Sequence, residues 1–246
     1  MRVQPCAGAA FLLLLLAGCN QMPGTPKPGV EVPRPDAVTD FATLYSQNCA
    51  GCHGNEGKGG AAIALADPVY LGIADDVTIR KIIANGVSGT SMPAFATGAG
   101  GMLTDQQIDV ITNGMRSSWG KSGILEGANP PSYAAKSNGD AQEGEVAYGK
   151  YCASCHGATG QGSTKGSAIT NDSFLALVSD QGLRTIVITG RPELGAPDWR
   201  GNVTGKPMSD QEITDVVAWL ASRRVQTPGQ PYSASYNAHQ EFKNAQ

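Results

Sequence analysis

Two short stretches of the chain are nearly identical and set thiols beside an imidazole: Cys49-Ala-Gly-Cys52-His53-Gly54 and Cys152-Ala-Ser-Cys155-His156-Gly157. Two cysteines three apart on a helical turn bring both sulfurs to one side. There they can add across two vinyl groups on one edge of a flat ring, giving thioethers that do not dissociate. The adjacent histidine then offers a ring nitrogen to a metal at the ring's centre. Cys-x-x-Cys-His is the attachment signature of haem c, and histidine is the usual proximal ligand. A zinc site needs four ligands, and each stretch supplies three. A thioredoxin-like dithiol needs a βαβ setting, which is missing here. Two covalent haems c are therefore predicted. One is held by Cys49, Cys52 and His53, the other by Cys152, Cys155 and His156, with His53 and His156 on iron.

The elements that position these motifs are themselves duplicated at about one hundred residues. With the motifs aligned, Tyr45 falls on Tyr148, Gly57 on Gly160 and Gly59 on Gly162. One added residue brings Tyr70 onto Phe174, Arg80 onto Arg184 and Gly86 onto Gly190; one more brings Asp105 onto Asp210 and Ile108 onto Ile213. Each copy reads as helix, Cys-x-x-Cys-His, glycine loop, helix, irregular loop, helix. Thr39 or Asp40 caps the first helix, which sets Phe41, Leu44 and Tyr45 on one side. A short helix over 76–84 stops at Asn85-Gly86. The last helices start at the capping boxes Thr104-x-x-Gln107 and Ser209-x-x-Glu212.

Each copy resembles a class I cytochrome c domain, and the whole resembles a dihaem cytochrome c. The resemblance implies an all-α fold, two tandem small helical bundles, each around one covalent haem c. The expected domains are 39–119 and 140–225, joined by a Gly-, Ser-, Asn- and Pro-rich linker at 120–139, with a tail at 226–246. In this family the sixth iron ligand is usually a methionine in the loop before the last helix. Met92, in Ser91-Met92-Pro93-Ala94-Phe95, fits that role. Arg80 and Arg184 stand at matching places, either as partners for haem propionates or as plain surface arginines.

The second copy departs from the pattern. Aligning Gly86 with Gly190 puts Ala196-Pro197-Asp198-Trp199 where Met92-Pro93-Ala94-Phe95 stood, and alanine cannot bind iron. Met208 is the nearest methionine and is the expected ligand, although it aligns with Leu103, a core position. His239 reaching back from the tail and a five-coordinate iron are the other outcomes.

The N-terminus reads as an address. An apolar stretch over 7–16, too short to span a bilayer, precedes Leu16-Ala17-Gly18-Cys19. This is similar to a bacterial lipobox, which implies a signal peptide over 1–18 and acyl chains on Cys19. The proline-rich 19–38 is then a semi-rigid tether. The expected location is the periplasmic side of a bacterial membrane. A net charge of −3, with no run of like charges, excludes a nucleic-acid binder. Aromatics are only 6% of 246 residues, too few for a large core without a bulky apolar cofactor.

The leading expectation is an electron relay, with redox proteins or a membrane electron-transfer complex as partners and no catalytic residues. The rival is a haem enzyme with an open second iron, for which Asp198 or Arg191 would be the distal group. Because Cys19 is the anchor, Cys19→Ala should move the protein from the membrane to the soluble fraction or block its maturation. Mass spectrometry of the mature N-terminus checks this, and an unlipidated Cys19 would overturn it.

Overall fold

The computed structural model describes residues 33–225. Cys19, the lipobox and His239 lie outside the described residues, so the readings placed on them stay expectations. Val38 onward forms one compact unit, and Pro35–Ala37, a single 3-10 turn, belongs to another. Among the described residues there is no strand, only the isolated bridges Ala96–Leu103 and Arg191–Ala196. The all-α expectation stands.

The first copy comprises α1 (Phe41–Asn48), α2 (Ala50–His53), α3 (Pro68–Ile73), α4 (Asp76–Asn85) and α5 (Asp105–Trp119). The second comprises α6 (Ala141–Tyr151), α7 (Ala153–His156), α8 (Asp172–Leu177), α9 (Asp180–Thr189) and α10 (Asp210–Ser222). Asp40 caps α1 by accepting from the Thr43 N–H at 2.8 Å. Both predicted capping boxes are made, at Thr104/Gln107 and Ser209/Glu212. Losing such a cap costs about 1 kcal/mol.

The short helices α3 and α8 were not anticipated. Their signal is local: Asp67 accepts from the N–H groups of Val69 and Tyr70 at 2.8 and 2.9 Å, with Pro68 at the first position. Asn171 does the same for α8, accepting from Ser173 and Phe174. A six-residue helix shows too little periodicity to stand out from a loop.

Each copy buries its own apolar set. Leu44, Tyr70, Ile79, Ile83, Ile108, Ile111 and Met115 pack in the first. Tyr148, Leu175, Leu183, Ile188, Trp199, Met208, Ile213 and Trp219 pack in the second. The second core also takes in Val69 from α3, with Ile73, Ile124 and Leu125 against it. The stretch read as a linker is therefore docked, not free.

The crossing of first and last helix is solved in opposite ways. On α5, a Cβ at Gly114 would lie 2.2 Å from the Phe41 ring of α1. On α6, a Cβ at Gly144 would lie 2.0 Å from the Asp215 carbonyl oxygen and 2.8 Å from the Trp219 Cβ of α10. Phe41 corresponds to Gly144, and Gly114 to Trp219. The large residue and the glycine have exchanged helices, and the crossing stays close.

Gly114→Ala should therefore destabilise the fold by about 1–3 kcal/mol through overpacking. In Phe41→Ala/Gly114→Ala the two costs should fall short of adding, because the smaller side chain admits the new methyl. Denaturant melts of the four proteins measure the coupling; strict additivity would show that the ring and the glycine do not share space.

Candidate haem-binding sites

Both motifs are built alike. Cys49 ends α1, its N–H donating to the Tyr45 carbonyl at 2.8 Å, and its own carbonyl accepts from His53 N–H at 3.0 Å to start α2. Cys152 repeats this with Tyr148 and His156 at 2.9 and 3.0 Å. The backbone angles agree closely: φ −119, ψ −36 at Cys49 and φ −121, ψ −32 at Cys152. One cysteine thus closes one helix and opens the next, and the two sulfurs of each motif lie one turn apart. All four thiols are free. Burial, and secondarily the neighbouring thiol, pushes Cys49 up to about 11 and Cys152 up to about 12, so these two thiols are protonated at neutral pH.

The histidines are oriented from behind. His53 Nδ1 lies 2.8 Å from the Ile63 carbonyl oxygen, and His156 Nδ1 lies 2.7 Å from that of Ser167. A carbonyl can only accept, so Nδ1 carries the proton and Nε2 keeps its lone pair for a metal. His53 is buried, and that burial lowers its pKa, partly opposed by the Ile63 bond. It is therefore neutral at physiological pH, the form that binds iron.

Sequence reasoning paired Tyr45 with Tyr148 without giving them a task. The Tyr45 hydroxyl donates to the Gly54 carbonyl at 2.8 Å, and Tyr148 donates to that of Gly157. Each tyrosine clamps the residue just after the histidine. A Cβ on Gly54 would lie 1.9 Å from the Lys58 carbonyl oxygen, which leaves glycine alone at that turn, with φ 82.

The loop ahead of the last helix keeps its register in both copies. After Gly86, Val87 N–H donates to the Met92 carbonyl at 3.1 Å; after Gly190, Arg191 N–H donates to the Ala196 carbonyl at 2.9 Å. Both glycines have φ 66. Ala196 therefore holds the backbone position of Met92, which is half-buried. Met208 is elsewhere. Its N–H donates to the Trp199 carbonyl at 2.9 Å, as that of Leu103 donates to Phe95 at 2.7 Å, and its side chain is 2% exposed.

A family model described as cytochrome c oxidase, cbb3-type, subunit III matches residues 36–114 and again 139–220. The chain belongs to this family. Within it, a cbb3-type cytochrome c oxidase subunit CcoP from Azospirillum sp. strain B510 is 35% identical over 137 residues, 51% of this chain and 41% of the relative. A cbb3-type subunit FixP from Sinorhizobium medicae is 29% identical over 135 residues, with the same coverage of 51% and 41%. The chain thus spans under half the length of these relatives. A solved chain of the Kuenenia stuttgartiensis reducing HAO-like protein complex covers 80% of this chain, and all of its own length, at 19% identity and a TM-score of 0.41, too distant to bear on the fold.

Membership in the cbb3-type subunit III family implies covalently bound haem c, and the residues fit it. The free thiols sit one turn apart, and each histidine has Nε2 unspent. Among the described residues no three His, Cys, Asp or Glu side chains converge on a metal position. Haem, when bound, supplies an iron that changes charge.

Neither reading of the arginines, propionate partner or plain surface residue, describes Arg184, whereas Arg80 stands at the surface in ion pairs. Arg184 is 2% exposed, and its guanidinium is spent on protein. It donates to the carbonyls of Ser132 and Tyr133 at 3.1 Å each, to the Thr214 hydroxyl at 2.9 Å, and to Asp210. Arg80 pairs with Asp109 at 2.5 Å and with Asp105, the counterpart of Asp210, at 3.1 Å. The repeated arginine ties α4 in the first copy and α9 in the second to the start of the last helix. In the second copy it also pins the linker.

Arg184→Met should lower the unfolding free energy by about 3 kcal/mol, since it removes the buried charged partner of Asp210 and the donor to the Ser132 carbonyl. The visible spectrum of the folded protein should stay as it was. A shifted spectrum with unchanged stability would return Arg184 to the cofactor.

Proposed function

We propose that this chain is an electron-relay cytochrome carrying two covalent haems c. The first is held by Cys49, Cys52 and His53 with Met92 as sixth ligand; the second is held by Cys152, Cys155 and His156. The supporting observation is that the second motif repeats the first down to the Nδ1–carbonyl bond and the tyrosine clamp. A site that had lost its cofactor would have no reason to keep them. By analogy with the relatives' printed names, the partner is a membrane-bound cbb3-type oxidase or a similar electron-transfer complex. Acyl chains on Cys19 would hold the protein on the periplasmic side of the membrane, and 19–38 would set the folded part off the surface.

The protein's part in electron transfer is to change little while charge moves. Two residues do most of this at each motif. The histidine is held by a backbone carbonyl, and the tyrosine hydroxyl locks the turn behind it. A thioether at Met92 would favour ferrous over ferric iron and raise the potential. The groups a haem enzyme would need are already engaged: Asp198 binds Arg200 at 2.6 Å, and Arg191 binds Glu193 at 2.5 Å. This supports the carrier over the enzyme.

Pyridine haemochrome quantitation should give two haems per chain, resistant to acid-acetone extraction. Cys152→Ala/Cys155→Ala should leave one. Met92→Ala should lower one midpoint potential and remove the sulfur-to-iron absorbance of the first domain. A single haem in the unaltered protein would sink the proposal.

A further inference from the structure

The two copies differ where the sixth ligand is expected, and the difference is backed by backbone geometry. The hairpin from Arg191 to Ala196 closes with both hydrogen bonds, Arg191 N–H to the Ala196 carbonyl at 2.9 Å and Ala196 N–H to that of Arg191 at 3.1 Å. Arg191 is half-buried, paired with Glu193, and reaches the Gly60 carbonyl at 3.5 Å. A Cβ at Gly190 would meet the Pro197 carbonyl oxygen at 2.1 Å, so the loop is seated on the end of α9 with nothing to spare. The two hydrogen bonds hold Ala196 in this register.

Met208 is held as firmly in a different place. Its backbone is bonded to Trp199, and the next residue, Ser209, opens the capping box of α10. Its sulfur lies 3.8 Å from the Asn202 amide nitrogen, and the side chain belongs to the second core. Moving it onto an iron would open a hole beside Trp199, of the kind that costs about 2–5 kcal/mol when a buried methionine is truncated. The first copy shows what this position is for, because Leu103, which has no ligating atom, fills it there.

We infer that the second iron has an exchangeable sixth position, set by Ala196 in the register of Met92, which takes a small neutral diatomic ligand in the ferrous state. Met208 is core. The inference rests on the proposals above that a haem is attached at Cys152, Cys155 and His156 and that Met92 is the sixth ligand of the first iron. It assigns to the second domain a ligand-binding site that the first domain, with Met92 in that register, lacks.

The test uses the full-length, dithionite-reduced holoprotein titrated with carbon monoxide, with haem per chain measured in parallel. The expected result is two haems and one carbon monoxide per chain. Ala196→Met, which restores Met-Pro at this register, should reduce the count from one to zero and add a second sulfur-to-iron band in the ferric spectrum. Met208→Leu, which writes the first copy's residue into the second, should leave both the count and the spectrum unchanged. A count of zero in the unaltered protein overturns the inference, and a rise from zero to one in Met208→Leu would assign the ligand to Met208. A haem count of one overturns the underlying attachment proposal instead, and is read from the haemochrome alone.

Discussion

A hydrogen bond from an imidazole to a backbone carbonyl governs the arrangement of each copy. Ile63 and Ser167 lie in irregular loops, ten and eleven residues beyond their histidines. Through this contact a loop with little regular structure is made answerable to the motif helix. The bond settles the tautomer, aims Nε2, and fixes where the glycine loop must return. The glycines follow from it: a Cβ at Gly60 would sit 2.1 Å from the Cys52 carbonyl oxygen, and one at Gly166 would sit 2.8 Å from that of Cys155. The loop lies directly on the motif's backbone, and side chains there would push it off and take the carbonyl with it.

The rest of each copy keeps that unit rigid by packing, and packing tolerates rewriting so long as volume and proximity are kept. The exchange of Phe41/Gly114 for Gly144/Trp219 is one such rewriting. The aromatic neighbours adjust with it. In the first copy Tyr45 meets Trp119 edge-on at 5.0 Å; in the second Tyr148 stacks on Trp219 at 4.2 Å. In both cases a tryptophan from the last helix backs the tyrosine whose hydroxyl clamps the motif, so the last helix reaches the motif through one ring. Burial raises both tyrosines to about 12, and each remains a hydroxyl donor across the physiological range.

How much of this was legible in sequence depends on how local the signal was. The Cys-x-x-Cys-His turns, the capping boxes and the helix stops at Gly86 and Gly190 are written within a few residues, and the structure has helix ends at those places. The register of Ala196 was readable because the repeat supplied a ruler. Arg184 shows the opposite case. Its alignment with Arg80 was visible, but its role depends on Ser132, some fifty residues away in a stretch whose composition suggested an interdomain linker. Proline- and glycine-rich sequence says only that a segment has no regular structure of its own. Whether it is free depends on what it meets, and Ser132, Tyr133, Ile124 and Leu125 meet the second copy.

That docking bears on the relation between the copies. Val69 of α3 is buried in the second core, and a Cβ at Gly72 would lie 2.8 Å from Leu125. Tyr70 meets Tyr133 edge-on at 6.4 Å. The seam is apolar at its middle and charged at its edge, where Asp67 has its pKa raised by burial and then by Asp198 and Glu193 nearby. Those carboxylates are balanced by Arg200 and Arg191, and Arg191 is the residue that opens the Ala196 hairpin and reaches Gly60, which packs on the Cys52 carbonyl. The loop that lacks a methionine in the second copy therefore rests against the attachment loop of the first. Apolar packing between copies resists relative motion more than exposed ion pairs do, so the separation of the two motifs is held by Val69, Gly72 and the pinned linker, while the charged edge sets the local field at the contact. The relay proposed above needs a constant distance between its sites more than it needs any side chain between them, and this seam supplies that constancy from the cores themselves.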